Sequence, residues 1–228
     1  MLFRSFDSVK TRYTALDLAA VKEAAKKLDG EGYIRISFEQ TAQALLDEGK
    51  TREALKEFRE LVRLHPQEAL HHIQFAKALV ASGLGEMARV EANRAVELEP
   101  ESAAAHAALA WILEHDTIGR RWKTGFDFDG AKQEFQRALE INPDHTSTRA
   151  DFAILLEFNR NGERFAADAD LGPAIEQYKK IQDKLDEKSS FRRNLPHDLF
   201  LMKRYSEVKT ASTPSDIRLA AIAALFAF

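Results

Sequence analysis

Three stretches of the chain close in the same way: "VRLHP" at Pro66, "VELEP" at Pro100 and "LEINP" at Pro143. Pro66 and Pro100 are 34 residues apart, and Pro100 and Pro143 are 43 apart. A period of this length constrains the fold more than any single motif. One such unit is too small to bury its own apolar face, so successive units must stack. Within the units, stretches such as "AQALLDEGK" and "NRAVELEP" carry helical periodicity ended by Gly or Pro. Alternating Val, Ile or Thr runs are absent. The expectation is an all-α chain of stacked antiparallel helix pairs, about 10–12 helices in all.

Matching positions recur from unit to unit. The first has Phe38, Thr41, Ala42 and Leu45, then Gly49, Ala54, Phe58 and Pro66. The second has His72, Phe75, Ala76 and Leu79, then Gly83, Ala88, Ala92 and Pro100. The third has His106, Leu109, Ala110 and Leu113, then Ala131, Phe135 and Pro143. The fourth has Arg149, Phe152, Ala153 and Leu156, then Ala174 and Tyr178, with Asp186 where the proline would stand. Small residues let paired helices approach, and the large ones fill the space between neighbours.

This pattern resembles the tetratricopeptide repeat over about Tyr33 to Leu185, departing from it at the His or Arg of the first large position and at Thr41. The resemblance implies a right-handed α-solenoid. It divides the chain into an N-terminal helix or half repeat (1–32), four repeats (35–68, 69–102, 103–145 and 146–186, within 33–185) and degenerate C-terminal helices (187–228). The last segment, "IRLAAIAALFAF", is apolar almost all round. A solenoid normally ends on a polar face, so either the natural protein continues or another chain covers this helix, and a homodimer through it is one expectation.

The 43-residue period comes from nine extra residues between the two helices of the third and fourth units. "LEHDTIGRRWKTGFDFDGA" (113–131) and "LEFNRNGERFAADADLGPA" (156–174) align without a gap. Gly119 and Gly162, Arg121 and Arg164, and Asp127 and Asp170 coincide, and Trp122 stands opposite Phe165. Equal spacing in two copies points to a built loop. Glycine permits positive φ where the first helix ends, and the Asp residues cap the second helix. The Arg residues fold back on Glu114 and Glu157 or on carbonyls, and the aromatics plug the gap. A rival reading offers the same Arg and aromatic side chains to a ligand. These loops also resemble the helical segment of large bacterial proteins in which tetratricopeptide units accompany a transglutaminase-like module, which implies a non-catalytic arm of a bigger protein.

The helical wheel selects residues beside the core stripe of each first helix as a concave wall: Glu39 and Gln43, Ile73 and Lys77, Trp111 and Glu114, Ile154 and Glu157. Trp111 is the central aromatic and the natural anchor for a partner; packing between repeats is the competing role for it. Some relatives of this family grip a C-terminal carboxylate with basic residues here. Only Lys77 is basic among these positions, so that clamp is not expected.

Composition removes several other chemistries. The 228 residues contain no cysteine, so disulfides, thiolate metal sites and thiol nucleophiles are excluded. A net charge of −3 gives no basic excess for nucleic acid or anionic membranes. No stretch has the length of a signal peptide core or a membrane span, so the default compartment is cytoplasmic unless the chain is an excised fragment. "DFDG" at 127–130 resembles part of a calcium loop but lacks its remaining oxygen ligands. Neither a metal site nor a cofactor is expected. The chain is read as a non-enzymatic scaffold binding a peptide or protein segment in its groove. The alternatives are a rigid regulatory arm of a larger protein and an assembly module.

Overall fold

The computed structural model describes residues 42, 45–185, 189, 191, 194–203 and 207–208. The expected N-terminal half repeat, Glu39, Gln43 and the apolar C-terminal helix lie outside the described residues. The chain divides into two compact units, residues 1–61 and 62–228.

In the first unit a helix closes at residues 45–47. Gly49 follows at φ 75°. Its N–H reaches the Leu46 carbonyl at 2.9 Å, and the Lys50 N–H reaches that of Leu45 at 2.8 Å. This bond pair satisfies the last free carbonyls of a helix and needs a left-handed residue between them. Helix α1 (Thr51–Leu64) begins next and buries Ala54, Glu57, Phe58 and Leu61, one stripe at helical spacing.

The second unit is built of helix pairs. α2 (Ala69–Ala81) packs on α3 (Gly85–Leu98), α4 (Ala103–Leu113) on α5 (Phe128–Ile141), and α6 (Thr146–Leu156) on α7 (Leu171–Lys179). α8 (Asn194–Leu201) packs on α7. Between pairs, α3 meets α4, α5 meets α6, and α2 meets α4. No strand occurs among the described residues, only two isolated bridges. The architecture is an α-solenoid of stacked helix pairs. Ala76, Ala110 and Ala153 on the first helices, and Ala88, Ala131 and Ala174 on the second, are all 0% exposed. They set the close approach of the paired helices, and Phe75, Leu109, Phe135 and Phe152 fill the space around them.

The His and Arg that depart from the repeat pattern form one recurring clamp. His72 Nε2 lies 3.1 Å from the Pro66 carbonyl, and its Nδ1 lies 2.7 Å from Glu91 Oε2. His106 repeats this with Pro100 at 2.9 Å and Glu134 at 2.6 Å. In the last pair Arg149 donates to the Pro143 carbonyl, and its Nη1 donates to Gln177 Oε1 at 2.5 Å. One side chain thus ties the proline that closes a unit to the second helix of the next. Both nitrogens of each His face acceptors, so only the doubly protonated ring donates to both. Arg149 supplies two donors permanently, and there the acidic partner is replaced by neutral Gln177.

The two pair types differ in how the first helix ends. α2 ends as the helix before Gly49 does: Gly83 has φ 75°, and the Leu84 N–H bonds to Leu79 O at 2.8 Å. After α4 and α6 the chain instead enters residues 114–127 and 157–170.

Candidate functional site: tandem hairpins beside the first-helix face

Each long connection starts as a miniature β-hairpin. His115 pairs with Arg121, and Phe158 with Arg164, in antiparallel bridges. The Asp116 N–H bonds to Arg120 O, and the Asn159 N–H to Glu163 O, both at 3.0 Å. Asp116 Oδ1 accepts from the N–H of Ile118 and Arg120. Asn159 Oδ1 accepts from Asn161 and Glu163 in the same way. This local bonding fixes the turn, and Gly119 (φ 77°) and Gly162 (φ 78°) supply the left-handed residue of a three-residue hairpin loop. The glycines therefore sit at the hairpin tips, not at the helix ends where the sequence placed them. They have a second duty. A Cβ on Gly119 would strike the Val80 carbonyl oxygen, and one on Gly162 would strike that of Trp122. Each tip rests on the backbone of the preceding unit.

The hairpin then turns its Arg inward. Arg121 Nε and Nη2 donate to Glu114 Oε2 at 2.8 and 2.5 Å. Arg164 Nε donates to Glu157 Oε2 at 2.7 Å, with Nη2 on the same oxygen. Glu114 and Glu157 are both 0% exposed. The sequence assigned them to the groove wall, and that assignment is corrected here. They stand just after α4 and α6 as C-caps, and the hairpin folds over them. Burial pushes the Glu114 carboxyl up to about 7 against the pull of Arg121, and it raises Glu157 as well, opposed by Tyr178 and Arg164.

Trp122 (φ 52°) and Phe165 (φ 61°) are left-handed and half-buried. Their N–H groups bond to Glu114 O at 2.8 Å and Glu157 O at 2.7 Å. They are rungs of a ladder more than plugs. The Arg121 guanidinium carbon lies 4.1 Å from the Trp122 ring centre, and Trp122 stacks on Phe158 at 4.1 Å. Arg164 lies 5.8 Å from Phe158 and 4.6 Å from Phe165, and Phe165 meets His197 at 4.7 Å. Alternating cations and rings in this way are mutually attractive. The fully covered aromatics of the first loop are Phe126 and Phe128, which the sequence comparison passed over because the second copy has Ala169 and Leu171 there.

The expected caps divide. Asp127 accepts from the Gly130 N–H at 2.9 Å and caps α5. Asp170 stands at the same position before α7 but makes no cap bond. Its Oδ2 takes Lys132 Nζ at 2.6 Å, and the residue in the place of Gly130 is Pro173, which has no N–H for a cap to accept.

Beside the hairpins lies the face of α2, α4 and α6. Lys77, Trp111 and Ile154 hold one equivalent position in three successive units, and all remain accessible. Lys77 is exposed, while Trp111 and Ile154 are half-buried. Trp111 leans on His115 with ring centres 4.4 Å apart. Asp151, one turn before Ile154, is within electrostatic reach of Arg121, His145 and Lys77, while burial raises its carboxyl above the ordinary range. Ile73 is only 7% exposed and belongs to a small apolar cluster with Ala69, Ala95, Ala105 and Ala108. Among the described residues no group of three His, Cys, Asp or Glu is placed to hold a metal ion, and no helix is long and apolar enough to cross a membrane.

Paired helices stacked at a repeating offset, tied by a clamp at each closing proline, define an α-solenoid repeat protein. Residues 45–112 match the family model described as Tetratricopeptide repeat. The match stops where the first nine-residue insertion begins to separate the helices of a pair. Solved structures share the fold at low identity. A tetratricopeptide repeat protein from Parabacteroides merdae is 16% identical, with a TM-score of 0.58 over 85% of this chain and 68% of its own. PilF of Pseudomonas aeruginosa is 15% identical, with a TM-score of 0.62 over 83% and 76%. MamA is 13% identical, with a TM-score of 0.58 over 83% and 91%. Comparison with curated proteins found no match. None of these matches bears on the expected association with a transglutaminase-like module.

Proposed function

We propose that the protein is a non-enzymatic scaffold that binds a peptide or protein segment along the face of α2, α4 and α6. The carrying observation is that Lys77, Trp111 and Ile154 occupy one equivalent position in three units and stay accessible, whereas the residues around them are spent on packing. A half-buried Trp backed by a fixed neighbour is a rigid anchor that loses little entropy on binding. A basic residue on one side and an aliphatic one on the other favour a segment carrying an apolar side chain near an acidic one. The test is selection of binders from a random peptide display library, followed by retesting against Lys77→Glu, Trp111→Ala and Ile154→Glu. Binders that lose affinity on all three support the reading; binders indifferent to all three contradict it.

The rival reading, a rigid arm of a larger protein, draws support from the ladder that joins the two hairpins. Both readings use the same stiff edge, and they part on whether selected peptides reach Trp111.

A further inference from the structure

Asp198 lies on α8 with 0% of its side chain exposed, and neither carboxyl oxygen has a hydrogen-bond partner. A buried carboxylate without donors is not tolerated as an anion. Among the described residues the groups facing it are few. From the end of α6 comes Glu157, whose two oxygens are occupied by Arg164 and by the Tyr178 hydroxyl. From the hairpin comes Arg164, already spent on Glu157. From α7 comes Tyr178, whose hydroxyl donates to Glu157 and accepts from Asn194 Nδ2 at 2.7 Å. On α8 itself His197 Nδ1 is 3.9 Å away, too far for a hydrogen bond, and burial lowers that ring's affinity for a proton. One guanidinium therefore serves two carboxyls.

The same arrangement stands one unit earlier. Glu114 takes Arg121 on Oε2, its Oε1 is buried without a partner, and Asp151 of the following helix is within reach of Arg121. In both places a Glu that caps the first helix and an Asp on the next first helix share one hairpin Arg.

We infer that Asp198 is held as the neutral acid when α8 is docked, and that its ionisation releases α8 from α7 and the second hairpin. α8 is attached by Leu195 and Leu199, by Asn194 on Tyr178, and by His197 on Phe165. An anion at Asp198, beside the anion at Glu157, must either draw water into this contact or leave it. Helix α8 is thus a proton-controlled flap, docked at neutral pH and freed in mildly alkaline solution. The carboxyl is pushed up to about 8 by burial and by Glu157, opposed by Arg164.

The test is amide hydrogen exchange of Asn194–Leu201 in the whole chain, corrected for the intrinsic rate, across roughly pH 6 to pH 9.5, for the wild type and Asp198→Asn. The amide keeps the shape and cannot ionise. The wild type should lose protection by up to about tenfold per pH unit as pH rises towards about 8 and level off above it, while Asp198→Asn stays flat. A flat wild type, or the same loss in Asp198→Asn, would overturn the inference. Should Asp198→Asn fail to fold, the side-chain carbon-13 shift of Asp198 in the wild type decides. A titration near neutral or above supports the inference, and one in the ordinary Asp range of about 4 overturns it.

Discussion

The Tyr178 hydroxyl donates to Glu157 Oε1 at 2.6 Å, deep inside the last helix pair. The position 43 residues earlier, which would serve Glu114, is Phe135, and Glu114 Oε1 has no partner. The Trp122 indole N–H is also buried and unpaired. At the position that supplies the Tyr178 hydroxyl to Glu157, the earlier copy has a ring without an oxygen atom. An unsatisfied buried acceptor costs about 1–3 kcal/mol. Phe135→Tyr should raise stability by ~1 kcal/mol, and Tyr178→Phe should lower it by ~1–3 kcal/mol. Urea denaturation of the two variants measures both.

Glu114 also sets a pH dependence. Its carboxyl rises from 4.5 to about 7 on folding. A raised acid binds its proton more tightly in the folded chain, so its contribution is fully present below 4.5 and is lost as pH climbs through 7. The unfolding free energy of the wild type should fall between about pH 4.5 and pH 7 relative to Glu114→Gln, by up to about 1 kcal/mol per pH unit. Parallel curves for the two proteins would remove Glu114 as the source.

The proline clamp predicts an exchange of parts. His106→Ala strips the Pro100 carbonyl and Glu134 of their partner and should cost about 1–3 kcal/mol. His106→Arg with Glu134→Gln imports the Arg149–Gln177 pair and should recover most of that loss. A double variant no better than the Ala variant, by thermal melting, would show that the two clamps are not interchangeable.

Glycines with similar φ should not respond alike. A Cβ at Gly49 meets open space, whereas one at Gly162 meets the Trp122 carbonyl. Gly49→Ala should cost about 1 kcal/mol from the left-handed backbone alone. Gly162→Ala carries that penalty plus the displacement of one hairpin from the next, and its melting point should drop clearly further.

Much of this was legible in the sequence. The period of the closing prolines gave the stacking, Gly49 and Gly83 the turns, and equal spacing of Glu, Gly and Arg in two copies a built loop with an internal ion pair. What stayed hidden depended on partners far along the chain. Glu114 and Glu157 read as wall residues because a helical wheel continues smoothly past Leu113 and Leu156. Nothing on the wheel shows that the hairpin covers them. His72, His106 and Arg149 read as faults in a repeat because their acceptors are a carbonyl six residues back and a side chain on another helix. Asp170 read as a cap because its spacing matches that of Asp127, although Pro173 stands where Gly130 supplies the capped N–H. Phe158 gave no signal as the seat for Trp122, since the ring contact joins different copies of the loop.

On the proposed function, the accessible stripe on the first helices is a binding face anchored by Trp111. The most direct measurement is the dissociation constant of a display-selected peptide for Trp111→Ala, taken beside that variant's melting temperature. The expected result is a loss of at least about tenfold, more than 1 kcal/mol, with melting within a few degrees of the parent, because the ring is only half-buried. Unchanged affinity, or a melting point far below the parent, would contradict it and make Trp111 a packing residue between units.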